Sequence, residues 1–352
     1  MDNYLRLVYN SVGKYLLSDR SLQMNKTNLA IIIPCYNEEE VLTISSYKIR
    51  EILLELIQEG KISEDSSIVF VDDGSKDKTW SIIESLNEED PVHFNGIKCS
   101  RNFGHQNVLM AGMTTAVAYA DAIITIDADL QDDIQVIKKM VDEYHQGYDV
   151  VYGVRNNRDT DTKFKRTTAN FFYKLMSDFG IEIKPNHADF RLMSNRAVLT
   201  LLEFQESNLF LRGLVPLVGY PSTDVFYSRN ERAAGESKYP LKKMIQFAME
   251  GITSFSIMPI KFVRSLGVLT VLMSILYMIY SFIQRFNGNV ETGWTSVIIS
   301  IWLIGGIQLI GISILGEYIG KIYWEVKRRP RFIIEKHLNG EVVKDHDTNE
   351  SR

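Results

Sequence analysis

Residues 123–133 read IITIDADLQDD, an apolar run that ends in four carboxylates, Asp127, Asp129, Asp132 and Asp133. Acids this close repel one another, and packing gains nothing from them. A bound cation would resolve the conflict. Hard oxygen ligands suit Mg²⁺ or Mn²⁺, and such ions bridge the oxygens of a diphosphate. Asp132 and Asp133 have another explanation, as acids in the first turn of a following helix, where the helix dipole favours them. Three more polar clusters follow apolar runs in the same way: PCYNEEE at 34–40, DDGSKD at 72–77 and RNFGH at 101–105. No GxGxxG or GxxxxGK[ST] pattern follows the first run, which speaks against a dinucleotide or P-loop site. A phosphate bound here needs a neutralising partner other than a glycine cradle, and a carboxylate-held metal fills that role.

Strands and helices must alternate to bring these clusters together. LAIIIP (29–34), SSIVFVDDGS (66–75), HFNGIKCS (93–100), DAIITIDAD (121–129) and YDVVYGVR (148–155) read as strands. Segments 39–60, 76–89, 104–120 and 133–147 carry helical apolar spacing between them. This alternation predicts an α/β fold with a doubly wound, mostly parallel sheet, whose ligands bind beyond the carboxyl ends of the strands. All four polar clusters lie at such ends. HADFRLMSNRAV (187–198) reads as a strand entering a helix, and Leu5, Val8, Tyr9, Val12, Tyr15 and Leu16 make a helical stripe near the N-terminus.

The 352 residues allow one large domain with an appendage, or two domains, and a net charge of −5 argues against a nucleic-acid binder. Cys35 and Cys99 offer no disulfide framework, which fits a reducing compartment. Two long uncharged runs, 265–283 and 296–315, match the ~30 Å hydrocarbon core of a bilayer. Lys261 and Arg264 precede the first, and Lys321, Lys327, Arg328, Arg329 and Arg331 follow the second. Positive flanks place both ends on the cytoplasmic side. The expectation is therefore a multi-pass protein of the cytoplasmic membrane with its catalytic domain in the cytoplasm. Its parts are an N-terminal extension (1–27), a catalytic domain (28–240), amphipathic interfacial helices (241–263), a transmembrane hairpin (264–318) and a basic segment with a polar tail (319–352).

The ordered set IIIPCYNEEE, VDDGSKDKT, RNFGH and DADLQDD resembles the family 2 glycosyltransferases, which have the GT-A fold. The later DFRLMS and RAAGESKY, followed by the two apolar runs, look like the polyprenyl-phosphate group of that family, the bactoprenol glucosyltransferases and dolichol-phosphate mannose synthases. The resemblance covers roughly 28–330 and leaves the N-terminal extension without a role. It implies a nucleotide-sugar donor, with Pro34, Tyr36 and Glu39 holding base and ribose and Asp72 and Asp73 contacting the nucleoside. The lesser alternatives are a packed aromatic for Tyr36 and a helix cap for Asp72 or Asp73. Asp127 and Asp129 match the DxD pair, Asp127 toward ribose and sugar and Asp129 toward a Mg²⁺ or Mn²⁺ whose shell Gln131 completes.

Asp189 aligns with the position usually assigned as base; its alternative is a structural acid paired with Arg191. Arg229, Arg232, Ser237 and Lys238 match the basic loop that meets the acceptor phosphate, with Arg212 and Arg155 as weaker candidates. The implied function is inverting transfer of a monosaccharide to polyprenyl (undecaprenyl) phosphate for cell-surface glycan modification. UDP-glucose is the first choice of donor, with UDP-N-acetylglucosamine, UDP-galactose and GDP-mannose open. The implied partners are that donor, the lipid phosphate, membrane lipid and further copies of the chain, since relatives form tetramers. A processive polysaccharide synthase would carry a QxxRW motif, which is absent here. A membrane-anchored, non-catalytic scaffold on the same fold is the alternative from another class.

Overall fold

The computed structural model describes residues 26–156, 187–206, 209–228, 258–286 and 293–339. The N-terminal stripe, most of the expected amphipathic segment and the polar tail lie outside the described residues. The chain divides into two units, one of residues 1–167, 183–237 and 330–352, the other of 168–182 and 238–329.

In the first unit, β1 (Leu29–Cys35), β2 (Ser67–Asp72), β3 (Phe94–Cys99) and β4 (Ala122–Thr125) run parallel. Helices α1 (Leu42–Gln58), α2 (Thr79–Glu89) and α3 (His105–Ala116) connect them. Every residue of β1 and β2 is buried, which is why these strands are near-continuous apolar runs rather than alternating ones. Helix α3 lies so close to the sheet that a Cβ on Gly112 would stand 2.5 Å from Ile32 Cγ2 and 2.9 Å from Val71 Cγ2. The small residues of that helix are a packing requirement.

The remaining elements are α4 (Val136–His145), β5 (Val150–Arg155), β6 (His187–Ser194), α5 (Asn195–Glu203), α6 (Leu211–Leu217), β7 (Ser222–Tyr227) and β8 (Ile334–His337). The sheet order is β7-β5-β6-β4-β1-β2-β3-β8. The expected α/β class with a mostly parallel sheet is observed, with two departures from simple alternation. Strand β6 inserts antiparallel between β4 and β5, pairing Ala122 with Ser194 and Thr125 with Arg191. Continued by two residues, that register sets Asp127 opposite Asp189. Strand β8, which no local pattern predicts, returns to the far edge and pairs antiparallel with β3. Its Lys336 bonds Glu84 at 2.7 Å, Leu338 N donates to Gly96 O at 2.9 Å, and Leu338 packs against the core. The edge of β3 is thereby covered.

In the second unit, α7 (Met258–Phe286) and α8 (Trp294–Lys327) meet where Gly311 is buried; a Cβ there would stand 3.1 Å from Val263 Cγ1. Among the described residues, no helix is long and apolar enough to cross a membrane. The apolar runs continue into charged turns, with Lys261 and Arg264 opening α7 and Glu317, Lys321, Glu325 and Lys327 in the later turns of α8. The expected transmembrane hairpin is corrected on this finding, and so is the multi-pass location in the cytoplasmic membrane that was read from it.

Removing the contact that seats β8 tests its docking. Leu338→Ala is expected to destabilise the protein by about 2 kcal/mol, the low end for leucine truncation, because Leu338 is only partly buried. Urea unfolding measures it, and an unchanged midpoint would mean that β8 does not dock in solution.

Candidate active site

The loops after β1, β2 and β3 are tied together by their own polar groups. Asn37, at φ 55, donates its N–H to Ser75 Oγ (3.0 Å), and its Oδ1 accepts from Lys76 N (2.9 Å). Glu39 N donates to Asp77 Oδ2 at 3.2 Å, while Glu39 Oε2 accepts from Lys78 N at 3.0 Å. Asp72 is fully buried and accepts from Ser75 N at 3.3 Å. Asp73 is buried too and accepts from Phe103 N (2.6 Å) and Gly104 N (3.0 Å), fastening the β3 loop to the β2 loop. Burial pushes the Asp72 and Asp73 carboxyls upward, and these hydrogen bonds oppose it. Gly74 follows Asp73 at φ +67, where a Cβ would stand 2.7 Å from the Arg101 carbonyl carbon, so only glycine lets the loops touch.

Of the remaining candidates at the first strand end, Pro34 is buried inside β1 and Tyr36 is exposed. Glu39 and Asp129 line one cavity of about 330 Å³ together with Asn37, Glu38, Glu40 and Asp77. Gln131 is buried, and its backbone N–H donates to Asp129 Oδ1 at 3.2 Å. Among the described residues, no group of three or more His, Cys, Asp or Glu side chains is arranged to hold a metal ion. Asp129 and Gln131 could supply at most two ligands to a cation there, with the rest left to substrate phosphate and water.

A second cluster forms where β4 ends and β6 begins. His105 Nε2 stands 3.6 Å from Asp127 Oδ1 and 3.6 Å from Asp189 Oδ2. Asp189 also accepts from Arg191 Nη2 at 2.9 Å and Arg212 Nη2 at 3.3 Å, and its carbonyl is held by Thr125 Oγ1. Burial would raise the Asp189 carboxyl, but Arg212, His105 and Arg191 outweigh it and hold the group well below the usual carboxylate range. The effect on His105 is reciprocal. Burial alone would lower it, yet Asp189 and Asp127 raise it. Asp127 is raised, first by loss of hydration, with His105 opposing and Asp189, Asp132 and Asp129 adding to the rise. The site thus holds a strongly ionised acid beside a readily protonated imidazole.

Asp132 does not behave as a helix N-terminal acid. It is buried, and its Oδ1 accepts from Tyr227 OH at 2.5 Å and Arg155 Nη2 at 2.9 Å, which commits Arg155 to that pair. Asp133 Oδ1 instead accepts from Gln135 N, just ahead of α4. The structure therefore brings Asp127, Asp189 and Arg212 together and sets Asp129 and Gln131 on the adjoining loop. Arg229, Arg232, Ser237 and Lys238 lie outside the described residues. Sequence reasoning missed His105 as a site residue, although it closes the RNFGH cluster. It also missed the Asp132–Tyr227 bond, whose partners are 95 residues apart.

A mostly parallel sheet with acids behind β4 and an acid–cation cluster at the β4–β6 junction defines an α/β, GT-A-like transferase domain. The family model described as Glycosyl transferase family 2 matches residues 30–202. The chain is 51% identical, over 92% of its own length and 95% of the relative's, to the Uncharacterized glycosyltransferase YkoT of Bacillus subtilis. It is 42% identical, over 89% of its length and 99% of the relative's, to the SfII prophage-derived bactoprenol glucosyl transferase of Shigella flexneri. The chain belongs to the family 2 glycosyltransferases. A solved mannosyltransferase of Pyrobaculum calidifontis, in complex with GDP-Man and Mn²⁺, is similar over 90% of this chain and 94% of its own, at 14% identity and a TM-score of 0.39.

The depressed Asp189 carboxyl fixes the sign of a pH effect. A group lowered on folding stabilises the native state above its unfolded value near ~4, and that contribution is lost as pH falls through the folded value. Asp189→Asn is therefore expected to cost about 3–5 kcal/mol at neutral pH, as for breaking one side of a buried pair. The gap from wild type should narrow below about pH 4. Urea unfolding across that range checks it; a pH-independent gap would mean that Asp189 is not ionised in the native state.

Proposed function

We propose that this protein is an inverting glycosyltransferase that moves a glucosyl group from UDP-glucose to polyprenyl phosphate, giving a polyprenyl-phosphate sugar. The observation that carries the reading is the meeting of Asp127, His105, Asp189 and Arg212 beside the Asp129 loop, at the carboxyl ends of the strands. The likeness to a bactoprenol glucosyl transferase over nearly all of both chains supports the acceptor class.

On this reading Tyr36, Glu39, Asp72 and Asp73 belong to the nucleoside side of the crevice and Asp127 to the sugar. Asp72 and Asp73 hold the loop backbones there, since their oxygens are already engaged by backbone N–H groups. Asp129 with Gln131 would hold Mg²⁺ or Mn²⁺, which when bound stabilises the departing nucleoside diphosphate as a Lewis acid. The acceptor's phosphate attacks the anomeric carbon on the face opposite the leaving group. A phosphate monoester has a second pKa near ~6 and is largely dianionic at neutral pH. It needs alignment and charge screening more than a proton acceptor. Asp189, held strongly ionised by its cations, is a poor base and serves better as their anchor. Arg212 and the basic loop with Arg229, Arg232, Ser237 and Lys238 would face the acceptor phosphate.

The test supplies purified full-length protein with undecaprenyl phosphate, Mg²⁺ or Mn²⁺ and radiolabelled UDP-glucose, and follows label into the organic phase. A metal-dependent lipid product is expected. Asp129→Ala should lower kcat by about 10²-fold or more, the scale of losing one electrostatic stabiliser of a transition state. Label transferred only from UDP-N-acetylglucosamine, UDP-galactose or GDP-mannose would replace the donor. No product from any donor would overturn the reading.

A further inference from the structure

Cationic side chains gather at Asp189. Two guanidinium groups and one imidazole, Arg191, Arg212 and His105, face the two carboxylates of Asp189 and Asp127. Arg191 is 1% exposed, and its Nη1 is buried with no hydrogen-bond partner among the described residues. A buried charged donor left open is rare in native proteins and marks a place where an acceptor belongs.

The other two cations are reachable from solvent. The His105 side chain is 43% exposed, and its Nε2 lies 3.6 Å from each carboxylate. That is ion-pair range, beyond hydrogen-bond length. The Arg212 side chain is 37% exposed and reaches Asp189 through two long contacts, 3.5 Å from Nε and 3.3 Å from Nη2. A hydrogen bond between their chain neighbours ties the two segments together. Leu211 N donates to Gln106 Oε1 at 2.9 Å, so the residues next to His105 and Arg212 in the chain are bonded directly. His105 is also the first residue of a twelve-residue helix, whose N-terminal N–H groups add to the positive potential.

We propose that His105 and Arg212, held by Asp189 together with the buried Arg191, form a subsite for a tetrahedral phosphate oxyanion. His105 is the new member of this set, and Arg191 acts through the others as a positioning residue. The inference rests on the transfer reading above and deepens it. In that reaction the oxyanion has two sources, the monoester of the acceptor and the diphosphate of the donor. The guanidinium fork of Arg212 suits either.

Full-length protein is titrated calorimetrically with farnesyl phosphate and, separately, with UDP, as wild type, His105→Asn and Arg212→Gln. Thermal melts confirm that the variants fold, which the half-exposure of both side chains favours. Each variant is expected to weaken farnesyl phosphate binding by about tenfold or more, the cost of one charge-assisted hydrogen bond, and to leave UDP within about twofold. That pattern assigns the subsite to the acceptor. The reverse pattern supports the subsite and assigns it to the donor diphosphate. Unchanged affinity for both ligands in folded variants overturns it. Wild-type turnover with UDP-glucose, run on the same preparation, separates the two questions: absent turnover with binding lost in the variants defeats the transfer reading and keeps the subsite.

Discussion

The antiparallel register between β4 and β6 is the constraint on which the site depends. It pairs Thr125 with Arg191, and two residues on it brings Asp127 and Asp189 to the same place. Both carboxylates lie 3.6 Å from one imidazole nitrogen, so those oxygens are no more than about 7 Å apart. Like charges at that range repel by roughly 2 kcal/mol at an effective dielectric near 20. Native stability is itself only about 5–15 kcal/mol, so the pair needs compensation. His105, Arg191 and Arg212 supply it, and each comes from a different element. The cations are there because the sheet forces the acids together.

The three earlier loops solve a related problem with hydrogen bonds. Strand ends leave backbone N–H groups that must be satisfied once they are buried. Asp73 accepts two such groups from the β3 loop, Asp77 accepts the N–H of Glu39, and the Glu39 carboxylate accepts the N–H of Lys78, joining the β1 and β2 loops. Acids that read as ligand-binding candidates therefore also build the crevice. One side chain does both only if an oxygen remains for the ligand. Asp129, whose loop borders the 330 Å³ cavity, is placed differently from Asp72, which is fully buried.

Local pattern carried much of this fold. The buried strands β1 and β2 are apolar runs of the right length, and the polar clusters stand where a parallel sheet opens its crevice. What stayed hidden is long-range. Nothing in HADFRLMS says that the strand enters antiparallel between β4 and β5, because a buried strand looks the same in either direction. The return of IEKH at 334–337 to the edge of β3 was equally silent, being four residues with two charges whose anchor, Leu338, follows them. Asp132 looked like a helix acid because its partners Arg155 and Tyr227 are far along the chain. The apolar runs at 265–283 and 296–315 misled for another reason. Each run was read as a span in itself, and among the described residues no helix is long and apolar enough to cross a membrane.

The electrostatic state of Asp189 bears on the kind of acceptor such a site can serve. A general base works best with a pKa near the operating pH. Three cations hold Asp189 far below that, and each of them favours the charged form further. A sugar hydroxyl, which must lose a proton to attack, would find little help here. A phosphate monoester arrives already ionised and asks instead for cations to steady it. The arrangement that makes Asp189 a weak base is the same one that gathers His105, Arg191 and Arg212 around it. Base strength and cation anchoring are opposed demands on one carboxylate, and this fold has met the second.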